Sequence, residues 1–391
     1  MSVDGLFEWL VDGAPGAGSS DAVVTRIGED LNRGGVDVER IGAFVSTLHP
    51  DVFGRGFTWV KGQKAQVREI GHAFLQGEVF QQSPVAKVYR ERVEIRRRIC
   101  DPTEPRDFAV VAELEAEGFT DYLALPMVFT TGDGHAITFA TKRPGGFRDE
   151  DVASLRRVCR PLARLAEILA LRRTAGNLLS TYVGRNAGDR VLAGQIKRGD
   201  IEDIHAVIWF SDLRGFTQLS QRASAREVID ALNQVFECQV AAVEKHGGEV
   251  LKFIGDGMLA IFSLDAEGPR SRAADGSPIV EEVVQRCDAA LAAAFEAQAA
   301  FTALRKDLAF GLALHVGDVA YGHIGGRGRL DFTAIGPAVN LAARLEGLTG
   351  KLGRPIVLSA AFAAKTTHPT EVLGTFELKG VDSASSVFAP K

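Results

Sequence analysis

Two aspartates, a lysine and an amide–guanidinium pair carry the chemistry this sequence can offer. Asp256 lies in Lys252-Phe253-Ile254-Gly255-Asp256-Gly257-Met258. Glu249 to Ile254 alternates polar and apolar, Met258 to Phe262 is apolar, and the Gly-Asp-Gly between them is a strong hairpin signal. The pattern places Asp256 at a hairpin tip, with Lys252 a few residues back on the incoming strand. Taken alone, the stretch also reads as an ordinary surface turn in which aspartate tolerates a left-handed conformation. Asp212 closes a buried-type strand, Ile204 to Phe210, inside Ser211-Asp212-Leu213-Arg214-Gly215-Phe216-Thr217. A carboxylate at a strand end suits a cation, and the glycine turn into Phe216 and Thr217 can offer backbone N–H groups to phosphate. Farther on, Pro337 is placed to open a helix, which puts Asn340 and Arg344 on one face. An amide and a guanidinium so spaced suit ribose orientation and phosphate charge, or else form a solvent-facing polar stripe. Lys379, at a strand-to-turn junction in Phe376-Glu377-Leu378-Lys379-Gly380, is unremarkable by itself.

Elements in a definite order must position these groups. A helix with Val228, Ala231, Leu232, Val235, Phe236 and Val243 on its inner face follows the first strand and runs to Gly247-Gly248. The hairpin comes next, then a helix over about Ile279 to Leu304 and a strand over Leu308 to Val316. Strand, helix, hairpin, helix, strand is the order of a ferredoxin-like βαββαβ core. There the first strand and the hairpin lie side by side, so Asp212 and Asp256 can converge. Converging carboxylates serve as an acid/base pair, a glycosidase pair or a cage for hard divalent cations. A glycine turn beside one and a lysine beside the other favour the metal–nucleotide use.

Upstream the reading is α+β as well. Residues 1 to about 45 read as two amphipathic helices, with Leu6, Trp9 and Leu10 on one face of the first and Val23, Val24, Ile27 and Leu31 on one face of the second. Strands are predicted over 57–60, 65–70, 94–99, 122–129 and 136–141, with helices from Pro84 and over 108–117. The order and size of these elements resemble a GAF-like sensory domain. His72, Cys100 and His135 could line a pocket there or be plain core and surface residues; Phe74, Phe80, Tyr89, Phe119 and Tyr122 read as packing. Asp149-Glu150-Asp151 opens a helix whose Leu155, Val158, Leu162, Leu165 and Leu169 form a heptad seam, either of a coiled coil or of a helix packed on its own domain. Pro161 is expected to kink or interrupt it. Gly188 to Asp200 reads as a polar linker. The organisation expected is therefore 1–148 regulatory, 149–200 connector and 201–391 catalytic.

Bulk composition narrows the classes. The 391 residues carry 45 basic and 50 acidic side chains, net −5, which disfavours a nucleic-acid partner. Cys100, Cys159, Cys238 and Cys287 form no CxxC pair, which argues against a zinc site or disulfide framework. No apolar run reaches membrane-spanning length and the N-terminus lacks a basic start, so a soluble, cytoplasmic protein is expected.

Residues Ile204 to Phe388 closely resemble the class III nucleotidyl cyclase catalytic domain. The runs FSDLRGFT, EVLKFIGDGMLAIF, TAIGPAVNLAARLE and FELKG stand in the family's order at compatible spacing. The resemblance implies that Asp212 and Asp256 hold two Mg²⁺ or Mn²⁺ ions per active site, with the backbone carbonyl of Leu213 assisting. It further implies that Asn340 orients the ribose, Arg344 stabilises α-phosphate charge and Lys379 binds the terminal phosphates. Family adenylate cyclases place lysine where Lys252 stands and aspartate or threonine where Thr333 stands; guanylate cyclases have glutamate and cysteine. Lys252 can donate to adenine N1, an acceptor, whereas guanine presents a donor there. Thr333 in place of the commoner aspartate is a departure that bears on how strictly ATP is preferred to GTP. The expected activity is conversion of ATP to 3′,5′-cyclic AMP and pyrophosphate in a homodimer with shared sites, under an unidentified small-molecule or protein regulator of the N-terminal domain. A silent nucleotide-binding dimer and a guanylate cyclase are the alternatives. No GGDEF-like run points to a diguanylate cyclase.

Overall fold

The computed structural model describes the chain except residues 1, 47–51, 196, 198, 265–279, 327 and 382–383. It divides into two units, Met1–Leu178 and Leu179–Lys391. In the first, α1 (Val3–Val11) and α2 (Ser20–Arg33) begin at serine caps: Ser2 Oγ accepts from the Gly5 amide and Ser19 Oγ from that of Ala22. Their expected faces are buried. A strand follows that the sequence reading missed, β1 (Arg40–Ser46). Its pattern is blurred by Gly42, where a Cβ would come within 2.6 Å of Thr138 Oγ1. Then come β2 (Val52–Val60), β3 (Gln66–Gly71), α3 (His72–Gln76), α4 (Glu78–Gln81), α5 (Pro84–Glu91), β4 (Ile95–Arg97), α6 (Ala109–Ala116), β5 (Asp121–Val128), β6 (Gly134–Thr141) and α7 (Asp149–Val183). The sheet is antiparallel in the order β3-β2-β1-β6-β5-β4.

In helix α7 the first part of the seam faces inward. Leu155, Val158, Leu162 and Leu165 are buried in the core of their own unit with Leu6, Ile27, Ile41 and Phe139. Each such burial is worth roughly 2 kcal/mol, so this stretch of the seam is used internally. The helix runs on through Pro161, so the interruption named as one of two expected outcomes does not occur. The proline removes one amide from the ladder, but the residue is itself buried, and packing holds the turn. His72 and Cys100 are exposed. His135 is buried between the rings of Tyr89 and Phe129, and burial pushes it down to about 4. Phe74, Phe80 and Tyr122 are not packing alone, because they line a cavity of about 180 Å³.

After the last residues of α7, the second unit continues with α8 (Arg185–Leu192), which follows Gly184 at φ 86°. This helix occupies part of what reads as a linker. Tertiary contacts hold it: Asn186 Nδ2 donates to Glu249 Oε2 at 2.9 Å, Arg190 pairs with Glu202 at 2.9 Å, and Ala187 is fully buried. The order continues β7 (Ile201–Leu213), α9 (Phe216–Arg222), α10 (Ala225–Lys245), β8 (Glu249–Ile254), β9 (Gly257–Ser263), α11 (Val280–Leu304), β10 (Phe310–Gly326), β11 (Arg329–Ile335), α12 (Pro337–Glu346), α13 (Thr349–Leu352), β12 (Ile356–Ser359), α14 (Ala360–Ala363), β13 (Thr370–Phe376) and β14 (Ser385–Pro390). The expected start of α11 at Ile279 lies outside the described residues. The strands run β13-β14-β12-β10-β7-β9-β8, with β11 paired to β10. Strand alternation splits β7 between two cores. Val207 and Trp209 face α10 and α11, while Ala206 and Ile208 pack with Ala338 and Ala342 of α12.

Candidate active site

Asp212 stands at the end of β7 between two glycines of neighbouring strands. It pairs in register with Gly257 of β9 and with Gly311 of β10. Both must be small. A Cβ on Gly257 would come within 2.6 Å of the Ser211 carbonyl oxygen and 3.3 Å of Asp212 Oδ1. One on Gly311 would collide with the guanidinium of Arg214 and with Thr349. Asp256 arrives from the β8–β9 turn, where Gly255 has φ 63° in the first of two loop positions, the place glycine takes in a type II′ hairpin. The Leu213 amide donates to the Asp256 backbone carbonyl at 3.3 Å. The side chains of Asp212 and Asp256 are within hydrogen-bonding reach.

This convergence is electrostatically costly. Burial, then the charges of Asp256 and Glu346, push Asp212 up to about 7, with Arg214 pulling the other way. Such a pair is completed by a proton or by a cation. Among the described residues no group of three or more His, Cys, Asp or Glu side chains converges. Two carboxylates flanked by glycine suit a hard divalent ion that takes its remaining oxygens from water and phosphate.

Two contacts that the sequence did not disclose support the pair. Arg214 Nη2 donates to Glu346 Oε1 at 2.9 Å, tying the turn after Asp212 to the end of α12. Ser211 Oγ donates to Gln239 Oε1 at 2.5 Å, fixing the end of β7 on α10. Neither was signalled by local spacing, since the partners lie 132 and 28 residues apart.

The remaining expected residues fall in separate places. Lys252 Nζ on β8 donates to Asp331 Oδ2 on β11 at 3.0 Å, and Thr333 lies two residues along β11, 3 % exposed. The strand bearing Lys252 is anchored at Glu249, which accepts from Tyr321 Oη at 2.8 Å. Burial raises the Glu249 carboxyl. Asn340 and Arg344 are exposed on α12, which Pro337 does open. Phe216 packs against the core at the start of α9 and Thr217 is exposed beside it. Lys379 is exposed in the turn after β13. No described contact joins Asn340, Arg344, Lys379 or Lys252 to the two aspartates of the same chain.

Residues 201–388 match the adenylate and guanylate cyclase catalytic domain family. An adenylate cyclase of Anabaena cylindrica is 29% identical over 189 residues, 47% of this chain and 36% of that protein. Adenylate cyclase 1 of Rhizobium meliloti is 28% identical over 185 residues, 46% of this chain and 26% of that protein. This chain thus spans about a third or less of these relatives' own length. The solved structure of a bacterial light-regulated adenylyl cyclase aligns at 26% identity and TM-score 0.40, over 48% of this chain and 91% of its own. Over residues 201–388 the chain is thus similar to the adenylate and guanylate cyclase catalytic domain.

Proposed function

We propose that the chain is an adenylate cyclase that converts ATP to 3′,5′-cyclic AMP and pyrophosphate. The observation that carries this reading is the convergence of Asp212 and Asp256 between two glycines inside a cyclase-family domain. Lys252 on the adjoining strand favours adenine over guanine, because an ammonium donates where adenine accepts. The core β7-α10-β8-β9-α11-β10 is read as ferredoxin-like, residues 1–148 as a GAF-like regulatory domain, 149–200 as connector and 201–391 as catalytic. The protein is expected to act in the cytoplasm.

In this reading the ribose 3′-oxygen attacks the α-phosphorus. A P–O bond forms to the 3′-oxygen, the bond to the bridging oxygen breaks, pyrophosphate leaves with that electron pair, and the 3′-hydroxyl proton passes to solvent water. Divalent cations, when bound, lower the pKa of the 3′-hydroxyl and clamp the triphosphate. The protein's part is positioning and charge. Asp212 and Asp256, with the Leu213 carbonyl, would hold the cations; backbone N–H groups at Phe216 and Thr217 would be offered to phosphate. Asn340 orients the ribose, Arg344 takes up charge on the α-phosphate and Lys379 binds the terminal phosphates. Exposure of Asn340 and Arg344, away from any contact with the aspartates of their own chain, fits a site completed by a second copy.

The test is an assay of the purified protein with Mn²⁺ and either ATP or GTP. Cyclic AMP from ATP is the expected product. A folded protein that yields none overturns the proposal, and cyclic GMP alone makes it a guanylate cyclase.

A further inference from the structure

The first unit holds a second cavity, apart from the one beside Phe74, Phe80 and Tyr122. Ala43 and Val45 of β1 line it, whereas Gly42 and Phe44 line the other, so the two lie on opposite sides of the sheet. This one is enclosed by α2, α7 and the sheet, and its volume is about 60 Å³. That is room for about four to six water-sized spheres. Its walls include three alanines, Ala43, Ala166 and Ala170, at positions where a larger side chain would fill the space. Val24, Phe57, Met127 and Leu162 of the lining are buried, so the inner walls are apolar. The charged members of the lining are Arg55, half-buried, and Arg173, exposed, which puts both guanidiniums at the opening. Arg55 pairs with Glu69 at 2.8 Å. Arg173 makes no ion pair among the described residues. Burial and then the charge of Arg55 hold it below the ordinary guanidinium value, with Glu69 acting the other way.

We propose that this cavity binds a short aliphatic carboxylate of about five to eight carbons, its tail between α7 and the sheet and its carboxylate on Arg173 and Arg55. Apolar walls hold water poorly and take up apolar groups instead. Two guanidiniums against one carboxylate leave a positive charge at the opening, and a bound carboxylate supplies the balancing one through the planar fork of Arg173. An amine of the same length is repelled there, and an alcohol of the same length loses the charged contact. The void itself lowers stability, so the fold gains from an occupant. The site lies within the first unit and stands or falls apart from the cyclase activity.

The full chain and its Arg173→Gln and Ala166→Leu variants are titrated with sodium hexanoate by calorimetry and thermal melting. Acetate, 1-hexanol and hexylamine at matched ionic strength serve as comparisons. Saturating hexanoate is expected to raise the melting temperature by about 3 °C or more, hexanol to raise it less, and acetate and hexylamine to leave it unchanged. Arg173→Gln, at an exposed position, should melt as wild type does and bind hexanoate about tenfold more weakly, with hexanol unaffected. Ala166→Leu should abolish binding of both by filling the space, and Ala170→Leu, on the next turn, replaces it if Ala166→Leu does not fold. A folded wild-type protein that binds no hexanoate overturns the proposal. So does equal affinity for hexanol and hexanoate, an equal effect of acetate, or undiminished binding in the filled variant.

Discussion

Asp212 and Asp256 are set against each other by the fold, and that conflict predicts how their variants behave. Asparagine at 256 keeps the hairpin but removes the like charge that helps raise Asp212 to about 7. Asp256→Asn should therefore abolish turnover while raising the melting temperature of the metal-free protein by a few degrees at pH 8, measured by thermal denaturation. A fall in stability would mean the pair is not strained. Both aspartates were legible because glycines and strand patterns announce themselves within a few residues. The ion pair of Lys252 with Asp331 was not, since it depends on β11 folding back to reach β8, and no local spacing encodes that approach.

Among the elements, α12 and the end of β7 are held together by one ion pair passing over one glycine. Glu346 is 5% exposed, so its carboxylate depends on Arg214. Arg214→Ala should cost about 3 kcal/mol, because a buried charge is left without its partner. Gly311→Ala should destabilise by about 1–3 kcal/mol through overpacking against the same guanidinium, and cyclase activity should fall with it. Denaturant titration with a parallel assay checks both; retention of full activity in Gly311→Ala would separate the glycine from the site. The strands flanking the hairpin and the Pro337 helix were readable from turn chemistry. The α8 helix was not. Its glycines and charges read as linker, and it is helical because Glu249, Glu202 and the rings of Tyr321 and Phe332 receive Asn186 and Arg190. In α7 the spacing was right but mute about its partner, since a seam of leucines fits its own domain as well as a second helix.

Each unit of the molecule carries a buried neutral histidine that reports on its folding. His135 in the first lies near Ser46, Tyr89 and Phe129, with the charges of Asp133 and Glu167 raising it less than burial lowers it. His315 in the second faces Ser359 at 2.8 Å, with burial, His205 and Lys365 all lowering it. Both sit at about 4, below the ordinary imidazole value. Below about pH 6.5 the unfolded chain binds protons that the folded chain refuses, so stability is full above that pH and falls toward pH 4, by up to about 3 kcal/mol for each group. Denaturation of His135→Gln and His315→Gln between pH 4 and 8 should each show a shallower slope than wild type; an unaltered slope refutes the assignment. Assembly is tested by mixing. Asp212→Ala and Arg344→Ala chains, each inactive, should regain activity together if one chain supplies the aspartates and another the arginine. Confirmed mixed dimers without recovery would count against a shared site.

The salt link between Lys252 and Asp331 is open to solvent on both sides, and open ion pairs weaken as the Debye length shrinks from about 10 Å at 0.1 M salt to about 3 Å at 1 M. If that link orders the base reader, fidelity becomes a property of the medium. The triphosphate is common to ATP and GTP, so its own screening cancels when the two are compared. Discrimination between the nucleotides should then decline steadily as potassium chloride is raised, and Asp331→Asn, which has no link to screen, should show a flat response.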